Sequence, residues 1–238
     1  EKEWESHNNW KDWHEIEEEE EEDNEKEISS LFVRTGRLQY MIMSFVLSAF
    51  IVFGRQFIRL WAGENYIDAY YISLMFFVPL TIPLVQNLGI VILQARNQMK
   101  FRSVLYIIIA LCSLGLSIII APKYGGYGCA FSTGMALLLG QGLIMNIYYH
   151  RSQHIDIKRF WIELLKMSVV PVVFVVVCLL LFSSLELTHM TALQLVVSVM
   201  IYSILYIPVF FKCSMNAEEK GLIVAPIVCL ARKFVVKK

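Results

Sequence analysis

SVLYIIIALCSLGLSIIIAP, residues 103–122, lies between Arg102 and Lys123 and contains no Asp, Glu, Lys or Arg. At about 1.5 Å of rise per residue, a helix of this length crosses a hydrocarbon layer about 30 Å thick. Lipid offers no water to solvate peptide groups, so a spanning run must satisfy its backbone hydrogen bonds internally, as a helix does.

Uncharged gaps of the same order recur on both sides. They measure 17 residues from Arg37 to Arg55, 27 from Asp68 to Arg96 and 27 from Lys123 to Arg151, then 19 from Lys166 to Glu186 and 25 from Glu186 to Lys212. Ile, Leu, Val, Phe and Met dominate each gap. The spacing predicts six membrane-spanning helices at about 38–60, 69–95, 103–122, 126–149, 164–183 and 190–211. The first extends past Arg55, with its arginines snorkelling. Only 11 uncharged residues separate Lys220 from Arg232, too few to cross, so this stretch is predicted to form a short interfacial helix bent at Pro226. The expected fold is therefore an all-α integral membrane bundle followed by a basic tail, 213–238.

Composition points the same way. Apolar residues make up 57% of the 238 and charged residues 18%, which excludes a soluble enzyme, a disulfide-rich secreted scaffold and a wholly disordered chain. The net charge of zero averages two unlike parts: residues 1–27 carry 14 acidic groups against 3 Lys, and residues 28–238 carry 7 against 18 Lys or Arg. Seven consecutive carboxylates, Glu17 to Asp23, repel one another, so 1–27 is expected to be a disordered, solvated lead-in. Trp4, Trp10, Trp13, His7 and His14 fall within it. The chain opens on Glu1 without a basic-then-apolar leader, which predicts a processed, tagged or partial product lacking a signal peptide.

Loop charges set an expected orientation. The segments 28–37, 96–102, 150–166 and 212–238 hold 15 Lys or Arg, and the alternate loops hold only Arg55, Arg59 and Lys123. The bias places both termini in the cytoplasm. Tyr66, Tyr70, Tyr124, Tyr127, Tyr148, Tyr149 and Trp161 sit near predicted helix ends, where amphipathic rings favour the membrane interface.

Polar residues inside spans mark candidate sites. The second span carries Pro79 and Pro83 and then Gln86 and Asn87, a pattern that fits either a bend around a substrate path or a static kink. The fourth carries Gly134, Gly140, Gln141, Gly142 and Asn146; its small-residue spacing, Ala130 with Gly134 and Ala136 with Gly140, fits helix packing, and its amides fit a cavity lining. Arg55 and Arg59 share one helical face at the cation-poor end, either as interface anchors or as attractors of an anionic head group. Arg55, Arg59, Gln86, Asn87, Gln141 and Asn146 are the substrate-path candidates.

Several chemistries have no sequence support. No carboxylate lies in the middle of a predicted span, and there is no Walker-type phosphate loop, nucleophile motif or metal-ligand pattern. The five cysteines lack CxxC spacing and read as free thiols. Neither catalysis nor a cofactor, metal or nucleic-acid partner is expected.

From Ile28 onward the chain resembles the C-terminal half of a bacterial polysaccharide (O-antigen or lipid-linked oligosaccharide) flippase. This family belongs to the multidrug/oligosaccharidyl-lipid/polysaccharide exporter superfamily. The stretches that carry the resemblance are SSLFVRTGRLQ (29–39), FGRQFIRLWAGENYIDAY (53–70), QARNQMKFRS (94–103), APKYGGYGCA (121–130) and MNAEEKGLI (215–223). The resemblance implies a multi-pass protein of the bacterial cytoplasmic membrane that moves undecaprenyl-pyrophosphate-linked repeat units from the inner to the outer leaflet. It also implies alternating access between two lobes, the first supplied by a missing N-terminal lobe or a partner chain. Lipid-linked oligosaccharide and membrane lipids are the implied partners. The alternatives are a multidrug antiporter of the same superfamily and a non-transporting membrane scaffold or truncated product.

Overall fold

The structure, a computed structural model, describes residues 2–184, 191–216 and 219–221. Among the described residues eight α-helices follow one another: α1 (Lys2–Ala62), α2 (Asp68–Val85), α3 (Asn87–Ala95), α4 (Met99–Tyr124), α5 (Gly126–Leu137), α6 (Met145–Ser152), α7 (Ile157–Ser184) and α8 (Ala192–Cys213). A 3-10 turn, Glu64–Tyr66, precedes α2, and a π-helical segment, Leu138–Ile144, joins α5 to α6. Among the described residues there is no strand. Six helical stretches are long and apolar enough to cross a membrane: Glu19–Ala62, Glu64–Val85, Met99–Tyr124, Gly126–Ser152, Ile157–Phe182 and Ala192–Cys213.

The connections are short because residues that tolerate positive φ sit at the turns. Gly63 (φ 100°) ends α1 and donates its amide to Arg59 O at 3.1 Å. Gly125 (φ 56°) is the single residue between α4 and α5, and its amide caps Ala121 O at 2.8 Å. The chain therefore doubles back at once, and α4 and α5 pack along their lengths. α5 also packs on α2, and α1 lies against α2, α7 and α8.

Two apolar cores fill the bundle. One joins Phe32, Leu93, Leu105, Met145, Tyr149 and Phe160; the other joins Phe53, Met167, Tyr202, Tyr206 and Phe210. In the second, Tyr202, Tyr206 and Phe210 stack one turn apart with centroids 5.5 Å apart. Their hydroxyls are satisfied from α1: Tyr202 donates to Ser48 Oγ at 2.8 Å, and Tyr206 pairs with Ser44 Oγ at 3.3 Å. Leu, Ile and Val cover the outer surfaces instead, with Ile119 71% and Leu165 67% exposed. A bundle that is apolar outside as well as inside is built for lipid.

The small-residue stripe on α5 is a packing face. Ala130 and Ala136 are buried, and a Cβ at Gly134 would stand 2.8 Å from Met75 O of α2. Met75 O has lost its helical donor, because the residue one turn on is Pro79.

Three expectations change. Residues 1–27, expected to be disordered, form the start of α1, which runs unbroken from Lys2. Glu is a good helix former, and a helix nucleated by the apolar span propagates cheaply into such residues. Lys26 adds local pairs with Glu22 at 3.3 Å and Asp23 at 3.5 Å. The second span, expected as one helix over 69–95, is two. The fourth, expected as regular helix over 126–149, contains the π segment. The interfacial helix expected in the C-terminal tail and the loop containing Glu186 lie outside the described residues.

Gly134→Ala is expected to destabilise the bundle by about 1–3 kcal/mol, because the clash is with backbone. Gly115→Ala on α4, where a Cβ meets nothing within 4 Å, is expected to be neutral or slightly stabilising. Unfolding of both variants by denaturing detergent in mixed micelles measures the difference.

Candidate functional site

The second span breaks at Gln86, not at its prolines. α2 continues through Pro79 and Pro83, and the chain leaves helical geometry at Gln86 (φ −100°, ψ 18°) before α3 begins. Carbonyls freed at a break inside lipid need new donors. Gln39 of α1 supplies them: with its nitrogen turned toward α2, its amide donates to Leu84 O at 3.0 Å and Val85 O at 3.1 Å.

The π segment lies beside this break. Gly140 and Gly142 flank Gln141, and two glycines weaken the regular helix enough to admit an extra residue per turn. Gln86 Nε2 donates to Asn146 Oδ1 at 2.5 Å, and Asn146 Nδ2 donates to Gly142 O at 2.5 Å. One irregular helix is thus stitched to another by two amide side chains. Gln86 is 2% and Gln141 1% exposed. Gln86 Oε1 and Gln141 Nε2 are buried without a hydrogen-bond partner among the described residues, so the acceptor and the donor remain unused.

The structure brings together only part of the predicted set. Gln86 and Asn146 meet, and Gln141 is buried on the π segment, whereas Asn87 is exposed. Arg55 is exposed and Arg59 is partly buried, with Arg59 Nε 3.5 Å from Glu64 of the following turn. They lie 16 and 20 residues beyond Gln39 along α1, roughly 24 and 30 Å at helical rise, so they do not join the amides. Tyr127, which donates to Asp68 at 2.8 Å, belongs to the same end as Arg59 and Glu64.

At the opposite end the basic loops converge on a charged cluster. Arg37 of α1 is 4% exposed and reaches two carboxylates. Its Nε and Nη2 grip Glu219 at 2.5 and 3.1 Å, its Nη1 donates to Glu163 of α7 at 2.5 Å, and its Nη2 also reaches Ser214 O at 3.2 Å. Lys166 holds the other oxygen of Glu163 at 2.8 Å. Arg102 of α4 is also buried and donates to Tyr149 and Tyr106 at 3.2 and 2.9 Å. Gln153 joins the α3–α4 turn to the α6–α7 turn through Gln98 at 2.5 Å and Arg96 at 3.3 Å.

Sequence reasoning counted Arg37 and Arg102 only as loop cations and gave Glu163 and Glu219 no partner, so it missed these contacts. A signal was present: beyond residue 27 the chain has only 7 carboxylates, and Glu163 and Glu219 sit in its most basic segments. Comparison of the chain with protein-family models, with curated proteins and with solved structures gives no match.

The Gln86–Asn146 contact gives a measurable coupling. Hydrogen bonds between helices in membranes average about 0.6 kcal/mol and reach about 1.7. Gln86→Leu, Asn146→Leu and the double substitution, compared by unfolding in mixed micelles, are expected to show a coupling in that range. Additive losses would mean that the two amides do not bond.

Proposed function

We propose that the chain is the C-terminal lobe of a transporter, a flippase for undecaprenyl-pyrophosphate-linked polysaccharide repeat units, with both termini on the cytoplasmic side of a bacterial inner membrane. The observation that carries the transport reading is the pairing of two irregular helices inside the apolar zone. Gln86 at the α2/α3 break bonds Asn146 in the first turn of α6, and Asn146 in turn bonds Gly142 O of the adjoining π segment. Interrupted helices in membranes are tolerated where they are buried in protein or line a path, and transporters place their sites at such interruptions.

The polysaccharide assignment draws on the family resemblance. The chemistry of the pair supports it: neutral amides offer both donors and acceptors, as sugar hydroxyls require, without attracting small ions. Arg55 and Arg59, at the end opposite the basic loops, suit the anionic pyrophosphate as it reaches the outer leaflet. The orientation rests on the 15-to-3 bias of loop cations.

Export in a flippase-deficient cell, with a first lobe supplied and membrane abundance matched, tests the reading. The parental chain is expected to restore surface polysaccharide. Arg55→Gln or Arg59→Gln is expected to weaken the anion contact roughly 10- to 100-fold, with Lys only partly restoring it. Parental export by both Gln variants would assign these arginines to interface anchoring. No export by the parental chain with its lobe would overturn the function.

A further inference from the structure

We propose that the described residues after α8, 214–216 and 219–221, act as a strap that Arg37 locks across the basic end of the α1–α7 pair through Ser214 and Glu219, and that release of this lock lets those helices part there. The proposal rests on the transport reading only for its consequence, the opening of a path at that end. The lock itself stands on geometry.

Arg37 is the point at which three segments meet. It projects from α1, bonds Glu163 on α7, and takes both oxygens of Glu219 and the carbonyl of Ser214 on the strap. The strap is folded around the same carboxylate, since Asn216 N donates to Glu219 Oε2 at 2.9 Å. Met215, 7% exposed, seats the start of the strap in the second core. Glu219 therefore ties residues 219–221 to the same point.

The two acids differ in what they keep if Arg37 lets go. Glu163 retains Lys166 at 2.8 Å on its own helix, where the carboxylate is partly open to solvent. Glu219 is 3% exposed, and Arg37 is the cation that holds it. An ionised carboxylate stripped of its cation is not tolerated while buried, so an ionised Glu219 either stays clamped or moves into water with its strap. That is a two-state element, not a graded one. Space for the change adjoins it: a cavity of about 720 Å³ is lined by Arg34, Arg37, Arg159, Glu163, Asn216 and Glu219, so α1 and α7 do not fill the gap that the strap closes.

The test reads the distance between spin labels at positions 159 and 216, on the full chain in lipid nanodiscs with its native cysteines replaced by Ser. The parental chain is expected to give one short distance, with an open population of about a tenth or less. Glu219→Gln removes the charge that the lock requires and leaves the six spanning helices unaltered. It is expected to shift the equilibrium toward a longer distance by roughly 100-fold, making the open form the majority. Glu163→Gln should shift it less, because the two-pronged grip on Glu219 remains. Arg37→Lys should fall between, since an ammonium keeps the charge without the fork. Parental distances in Glu219→Gln would overturn the proposal and assign the strap to apolar packing. If Arg37→Lys fails to insert, Glu219→Gln still decides. A shifted distance together with no export by any chain, parental included, would leave the lock standing and overturn the transport reading.

Discussion

A peptide group inside hydrocarbon finds no water to bond, and each one left unpaired costs several kcal/mol. Much of this chain's architecture follows from that constraint. Its apolar runs become helices, and at the two irregular points of the second and fourth spans an amide side chain supplies a donor. Gln39 covers Leu84 O and Val85 O at the α2 break, and Asn146 covers Gly142 O at the π segment. Hydroxyls inside spans turn back on their own helices or meet a partner: Thr81 bonds Phe77 O, Ser132 bonds Gly128 O, and Ser48 receives Tyr202. Gln86 Oε1 and Gln141 Nε2, like Gln56 Oε1 and Ser214 Oγ, are buried exceptions among the described residues, and the first two belong to the two irregular spans.

Charge obeys a related rule at the ends of the bundle. A buried arginine is tolerable only where carboxylates or hydroxyls meet most of its donors. Arg37 meets two carboxylates and a carbonyl, and Arg102 meets two tyrosine hydroxyls and stacks over the Tyr106 ring at 5.1 Å. These clusters tie together segments remote in sequence, with 182 residues separating Arg37 from Glu219. They close one end of the bundle, while the amide pair lies deeper. A charged closure at one end, a neutral hydrogen-bonding pair inside and two arginines at the other end are the groups on which the proposed flippase reading draws.

What could be read from the sequence depended on whether a signal was local. The six spans were legible because an uncharged run of about 20 residues has few other structures open to it. The α5 stripe was legible from its spacing, and Gly134 does sit against backbone. The position of the second-span break was not, because the prolines mark missing amides and Gln39, on another helix, fixes where the capped carbonyls fall. The helix through 1–27 was hidden because charge repulsion and helix propensity act on the same glutamates in opposite directions. The π segment left only a weak trace in Gly140 and Gly142, and the serine–tyrosine contacts of α1 and α8 left none, because serine and tyrosine in a span look like ordinary lining. Arg37 and Glu219 were visible singly and invisible as a pair.

Amide hydrogen exchange of the chain in lipid nanodiscs, resolved by segment, tests most directly whether the irregular pair faces a water-accessible path. Residues 86–90 and 138–144 are expected to exchange roughly tenfold or more faster than 104–119, which lie in an uninterrupted helix facing lipid. Uniform protection of all three segments would contradict a path at the break and leave the pair as a packed joint.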